Sequence, residues 1–368
     1  MTSKPFSRNT ANPIRAFNPN IFRRFSNSPD DVPKGDVRKE KGLTSPFGTS
    51  SVILLLAIFV SGCGPKYTYP AEKVPKAVEE ICAKENQINV KTRVVGKTLG
   101  ALVHVNSITD NTKQISKDTN DKMGKVMQAL TRVALSTDLP LDFTVVVIRD
   151  RASNNEFIVI RAVDDTKRAN AEMIGVEESI NRTVFGQQKY MPVAGEHNSF
   201  VLKEVTLENF LADQIVQRIR FNLSKEAKEA KETKEESLPI QSLVLADGSY
   251  EKADDKKIFQ FSIIDFKKEA SNNTLSSIFT TVNRVLEGYS FDAFDEIQIK
   301  DYAAKKKLVV DRMTLLDYQK KKVTFDQILK KNLANFDAAQ DAFKLFGFNL
   351  SHGPVDEESS SVIAPNEN

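Results

Sequence analysis

The sequence predicts an α+β protein. It reads as two tandem copies of a strand-strand-helix-strand-strand-helix unit, each an antiparallel sheet with helices on one face. Three observations lead there. "VTLENFL" at 205–211 returns as "VTFDQIL" at 323–329; in both, Thr can cap a helix, an acid sits in the first turn and apolar residues follow at helical spacing. Upstream, "LTRVALSTDLPLDFTVVVIRD" at 130–150 runs beside "VNRVLEGYSFDAFDEIQIKD" at 282–301, each a helix end with Arg-Val, a loop, then a strand ending in a basic residue and Asp. Each strand leads through a polar turn, "RASNNE" or "YAAKKK", to a second one, "FIVIR" or "LVVDR", which makes a hairpin.

The elements follow in order. Residues 1–50 are rich in Asn, Pro, Ser, Phe and Arg with no helical or strand period, and read as a disordered leader. No Met lies between Met1 and Met123, so the alternative, a later start, needs a non-Met codon. Residues 51–62 hold nine consecutive apolar residues, Val52 through Val60, closed by Ser61 and Gly62. A membrane-crossing helix needs about 20 such residues. A signal-peptide apolar region needs about 7–15 and ends at small residues. The following "SGCGP" is poor strand sequence.

The residues "VSGC", Val60 through Cys63, resemble the lipobox that closes the signal peptide of bacterial lipoproteins. The resemblance implies cleavage between Gly62 and Cys63, with fatty acyl chains such as palmitate on Cys63. It spans only about 20 residues and carries no family for the rest of the chain. An uncleaved hydrophobic anchor is the competing reading. Gly64 is not the Asp that resembles an inner-membrane retention signal, which favours the periplasmic face of the outer membrane where the organism has one.

Residues 1–62 carry nine Lys/Arg and four Asp/Glu; the other 306 residues carry 43 and 45, a net charge of −2. The basic balance of the whole chain thus belongs to the leader, and no net positive field points to nucleic acid. With Cys63 acylated, Cys82 has no partner for a disulfide. Val78, Ile81 and Cys82 share one helical face, so Cys82 reads as a small buried hydrophobe.

Residues 63–76, with three prolines, read as a short tether, and 77–223 as the first α+β domain. Within it, Ile115, Thr119, Met123, Val126, Met127, Leu130 and Val133 form one helical stripe. Aligned on the two Val-Thr helices, the first copy carries an insertion at 164–199, where Glu177, Glu178 and Arg182 fall near one helical face. These three are the candidate interaction surface, since loops on a repeated scaffold tolerate such additions; the competing reading is an ornamental crossover. Residues 224–237, "SKEAKEAKETKEES", have no apolar stripe and read as a charged helical linker. The second domain spans 238–349, its last helix running through Leu333, Phe336 and Phe343 to Gly347, and 350–368 is an acidic, Ser-rich tail.

Chemistry is sparse. "GKTLG" at 96–100 lacks the Gly that a phosphate loop needs five residues earlier, where Lys91 stands, and reads as a hairpin turn. His104, His197 and His352 have no metal-ligand spacing, and GxSxG is absent. The acid pairs Asp164-Asp165, Glu177-Glu178 and Asp254-Asp255 suit helix starts and loops. No catalytic residue, metal or cofactor is expected. The leading reading is a non-enzymatic, lipid-anchored envelope protein that acts as a structural or assembly partner of an envelope protein. The alternative is an envelope hydrolase or small-molecule receptor with its site between the two copies.

Overall fold

The computed structural model describes residues 68–112, 114–190, 199–229, 244–265 and 272–337. The leader, the apolar run, Cys63, the end of the charged linker and the acidic tail lie outside the described residues.

The chain enters the fold earlier than the tether expectation allowed. Thr68 and Tyr69 donate their N–H groups to Ser136 O at 3.0 Å, Ala71–Lys73 form a 3-10 turn, and α1 begins at Val74 with Pro75 in its first turn. The first turn needs no N–H from Pro75. Pro70 and Pro75, which suggested a tether, instead stand at the start of the 3-10 turn and of α1. Helix α1 (Val74–Asn86) buries Val78, Ile81 and Cys82.

A hairpin follows. β1 (Val90–Val95) and β2 (Thr98–Val105) pair antiparallel around Gly96 and Lys97. Gly96 has φ +53°, and a Cβ there would meet the Glu204 carboxylate at 2.0 Å. That carboxylate accepts the Lys97 N–H at 3.0 Å. The turn reading of "GKTLG" therefore holds.

Helix α2 (Lys117–Ala134) is capped by Ser116, whose side chain accepts the Thr119 N–H, and buries the expected Thr119, Met123, Val126, Leu130 and Val133. It leads to β3 (Phe143–Asp150) and, by hairpin, to β4 (Asn155–Ala162). The strand order is β1-β2-β3-β4-β5, and β2 and β3 are parallel. This corrects the expected all-antiparallel sheet. Eighteen helical residues and eight strand residues both span about 27 Å, so α2 returns the chain to the end of the sheet where β2 began, and the next strand runs parallel.

Helices α3 (Val163–Asn170) and α4 (Val176–Asn181) then lead to the edge strand β5 (Val184–Lys189), and α5 spans Leu207–Glu229. The first part of the charged linker thus continues α5. In the second half come β6 (Val244–Ala253), β7 (Lys256–Asp265), α6 (Asn272–Gly288), β8 (Glu296–Asp301), β9 (Lys306–Asp311), α7 (Arg312–Gln319), α8 (Phe325–Asn332) and β10 (Leu333–Asn335). The sheet order is β10-β9-β8-β7-β6, and its β7–β8 pair is parallel as well.

Several backbone bonds recur around the two sheets. Asp142 donates its N–H to Lys97 O and accepts from Val163; Asp295 donates to Lys257 O and accepts from Arg312. The repeated Asp at the strand end caps the hairpin turn: Asp150 accepts from the Ala152 and Ser153 N–H groups, Asp301 from Ala304. After α3, Glu172 has φ +56° and Met173 bonds Arg168 O; after α7, Lys321 has φ +58° and Lys322 bonds Asp317 O. In chain order α3, α4 and β5 follow β4, and α7, α8 and β10 follow β9. The stretch at 164–189 folds as α3, α4 and β5. Thr206 and Thr324 do both bond a backbone N–H three residues on. Their helices nonetheless occupy different places, because α5 follows β5 whereas α8 precedes β10.

One face of the first sheet, with Leu99, Ala101, Val103, Val146, Ile148 and Val159, packs on α1 and α2. Its other face, with Leu102, Val145, Val147, Ile158 and Ile160, joins a core that also holds Phe210, Leu211, Ile215 and Ile219 of α5 and Phe259, Phe261, Ile297 and Ile299 of the second sheet. Helix α5 is therefore buried between the halves. Gly248 of β6 permits its close approach, since a Cβ there would lie 2.7 Å from Val216 and 2.6 Å from the Phe261 ring.

Candidate interaction site

The sequence-selected residues lie on and just after α4 and divide into two roles. Glu177 is exposed. Arg182 is 9% exposed and is the centre of a polar cluster joining four helices. It bonds Asp165 of α3 at 2.9 Å and Glu178 of α4 at 2.8 Å, and its guanidinium lies 4.9 Å from the centroid of the Tyr289 ring. Tyr289, immediately after α6, donates its hydroxyl to Asp165 and accepts from Gln214 of α5 at 3.0 Å. Gln214 also donates to Arg182 O at 2.9 Å, and Arg218 reaches Glu178 at 3.2 Å. Gly288 keeps the approach open, because a Cβ there would meet the guanidinium at 3.3 Å.

Burial opposes the charge on Arg182, but the bonds to Glu178 and Asp165 outweigh it and hold its pKa above the ordinary arginine range. Burial likewise raises Glu178, and Arg182 and Arg218 more than offset that, so its carboxyl stays below the usual range. Burial, then the Asp165 carboxylate, push the Tyr289 phenol well up. All three groups keep their ordinary neutral-pH forms, so the cluster suits a fixed staple between the halves better than proton transfer. Exposed surface lies beside it: Met173 is 73% and Val176 58% exposed at the α3–α4 turn next to Glu177.

A second polar group sits at the end of the first sheet. Arg149 bonds Glu156 at 2.7 Å, both side chains being nearly buried, and lies 3.4 Å from the centroid of the Tyr190 ring. It also donates to Ser199 O at 3.2 Å, and Gln188 donates to Glu156 at 2.8 Å. His104 pairs with Arg149 across the parallel ladder. Burial, then Arg149, lowers its pKa and keeps the ring neutral. His197 and His352 lie outside the described residues.

At the α5–β6 joint, burial and then Asp247 push the Asp213 carboxyl up to about 7, with Arg220 opposing. Arg220 donates to Ala246 O at 3.0 Å through Nε. Cys82 is a buried free thiol, pushed up to about 11 by burial first and by Glu79 and Glu85 after it. Among the described residues no group of three or more His, Cys, Asp and Glu could hold a metal, and no helix is long and apolar enough to cross a membrane. Asp165, Gln214, Arg218 and Tyr289 escaped the sequence reading as a set. The one visible signal was the four-residue spacing of Glu178 to Arg182 and of Gln214 to Arg218. No protein-family model, curated protein or solved structure matches the chain.

Proposed function

We propose that this chain is a lipoprotein of the bacterial cell envelope, acylated on Cys63, and that it serves as a non-enzymatic structural or assembly partner on the periplasmic face of the outer membrane where the organism has one. The observation that carries the reading is the place of the lipobox. Cys63 precedes by five residues the point, Thr68, where the chain is already bonded to Ser136. Five residues reach at most about 17 Å. An acyl chain on Cys63 would hold the end of α2 against the bilayer surface. The partner would meet the α3–α4 turn, where Met173, Val176 and Glu177 are exposed, while Glu178 and Arg182 brace that turn from behind. A receptor or hydrolase site between the halves has less support, because buried α5 side chains fill that space.

The matched bonds of the two halves support a duplicated unit of hairpin, helix, hairpin, two short helices and edge strand. Cell fractionation tests the anchor. The parent should sediment with membranes and migrate, after mild detergent extraction, in a complex larger than itself, whereas Cys63→Ala should leave the membrane fraction. A parent protein that stays in the soluble fraction defeats the reading.

A further inference from the structure

Two exposed apolar side chains stand at the α3–α4 turn, and their place in the fold decides what meets them. Met173 and Val176 belong to one tip, Met173-Ile174-Gly175-Val176, with half-buried Ile174 between them. The tip is held out by its surroundings. Glu172 turns the chain at φ +56°, Met173 donates its N–H to Arg168 O at 2.8 Å, and Arg161 bonds the Ser179 hydroxyl of α4 at 3.1 Å. A Cβ on Gly175 would have nothing within 4 Å. Apolar side chains held out in this way leave water only when an apolar phase comes to them.

The turn lies at the end of the first sheet where the chain enters the fold. Thr68 and Tyr69 bond Ser136 O just after α2. Asp142 directly precedes β3, and its C=O accepts the Val163 N–H that opens α3, at 2.8 Å. Strand β5 begins at the same end, since Val184 pairs with Ile160 while Ala162 pairs with Phe143. Helices α3 and α4 thus leave this end and return to it. Eight helical residues span about 12 Å, so the turn between them stays close to that end. The β3–β4 turn, Arg151 to Asn154, stands at the other end, a strand length of about 27 Å away. Cys63 is five residues from Thr68, about 17 Å of chain at most. An acyl chain on Cys63 therefore brings the bilayer to the end of the sheet that carries Met173 and Val176. Lys167, exposed and six positions before Met173, suits lipid phosphates. Glu172 and Glu177, on either side of the tip, need water and limit its entry to headgroup depth.

We propose that the α3–α4 turn is a second membrane contact, in which Met173 and Val176 enter the boundary between headgroups and acyl chains beside the lipid on Cys63. The inference rests on the acylation proposed above and names the bilayer as what meets this turn. A lipid on Cys63 alone leaves the body free to swivel. A second contact fixes its attitude and points the β3–β4 turn away from the membrane. The chain has no Trp, so Met173→Trp in the acylated full chain is a single reporter. The protein is placed in vesicles of phosphatidylethanolamine and phosphatidylglycerol, with and without bromine on the acyl chains. Bromolipid should quench the Met173→Trp emission about twofold or more and leave Ala152→Trp, at the other end of the sheet, unquenched. Should Met173→Trp fail to fold, Val176→Trp gives the same reading. Flotation of the same vesicles reads the anchor separately. Protein that floats with its reporter at the turn unquenched overturns this inference and leaves the anchor standing, whereas protein that does not float overturns both. Equal quenching of Ala152→Trp also overturns it. So does a reporter at the turn that is shielded from aqueous iodide in native membranes but not in the vesicles, a result that assigns the turn to an envelope protein.

Discussion

Removing the guanidinium at the centre of the polar cluster measures what the buried Arg182–Asp165 pair contributes to stability. In Arg182→Met, Asp165, 4% exposed in the parent, loses its ion-paired hydrogen bond and keeps the Tyr289 hydroxyl and the Coulombic attraction of Arg161. Stripping one partner from a buried pair costs about 3–5 kcal/mol, and the lost ring contact adds up to about 1 kcal/mol. Glu178 contributes little, since its side chain is 40% exposed and Arg218 remains within 3.2 Å. With Arg161 still attracting Asp165, the expected loss is at the low end, about 3 kcal/mol, read as a fall of roughly 1 M in the urea midpoint at unchanged slope. Adding Asp165→Asn removes the orphaned charge and should recover about half of it. A loss below about 1 kcal/mol, or no recovery in the double variant, refutes the claim that this buried ion pair stabilises the fold.

Three further outcomes follow from particular side chains. Asp213 has its folded pKa raised from 3.8 to about 7, so the folded state binds the proton more tightly and stability falls as pH rises between those values. From pH 5 to 8 the parent should lose at most about 3 kcal/mol that Asp213→Asn does not lose; parallel pH profiles for the two count against the assignment. Gly248→Ala forces a Cβ against Phe261 and Val216 and should cost about 2 kcal/mol by thermal or urea melting, and a neutral change would mean that α5 and β6 are not so closely packed. Cys82 should react with a thiol reagent at pH 8 only as fast as the protein opens, and full labelling of the native protein within minutes contradicts its burial.

What the sequence made legible was local. The hairpins, the Thr324 cap and the stripe on α2 each depend on residues a few positions apart. The parallel central pairs were not legible, because β-propensity is the same for either strand direction and only the length of the crossover sets it. The two Val-Thr helices misled for a related reason. Thr followed by an acid reports a helix start, and a start can stand before or after an edge strand. The place of the chain's own turns was the better guide, since Glu172 and Lys321 mark the same left-handed stop in both halves. Of the candidate site, the Glu178 and Arg182 spacing was readable. Its contact with Tyr289 was not, since Tyr289 and Asp165 lie 124 residues apart in the chain. Arg182 carried a charge that suggested an exposed binding surface, and its four-helix setting buried that charge instead.

The lipid anchor is tested most directly at Cys63. Protein extracted from membranes can be digested and its N-terminal peptide weighed. The expected peptide begins at Cys63 and carries the mass of a diacylglyceryl group, with a further acyl chain where the amine is also modified. The same peptide recovered without lipid, or peptides that read through Gly62 into Cys63 from the mature protein, contradict the lipid anchor and with it the placement of the body at the membrane surface.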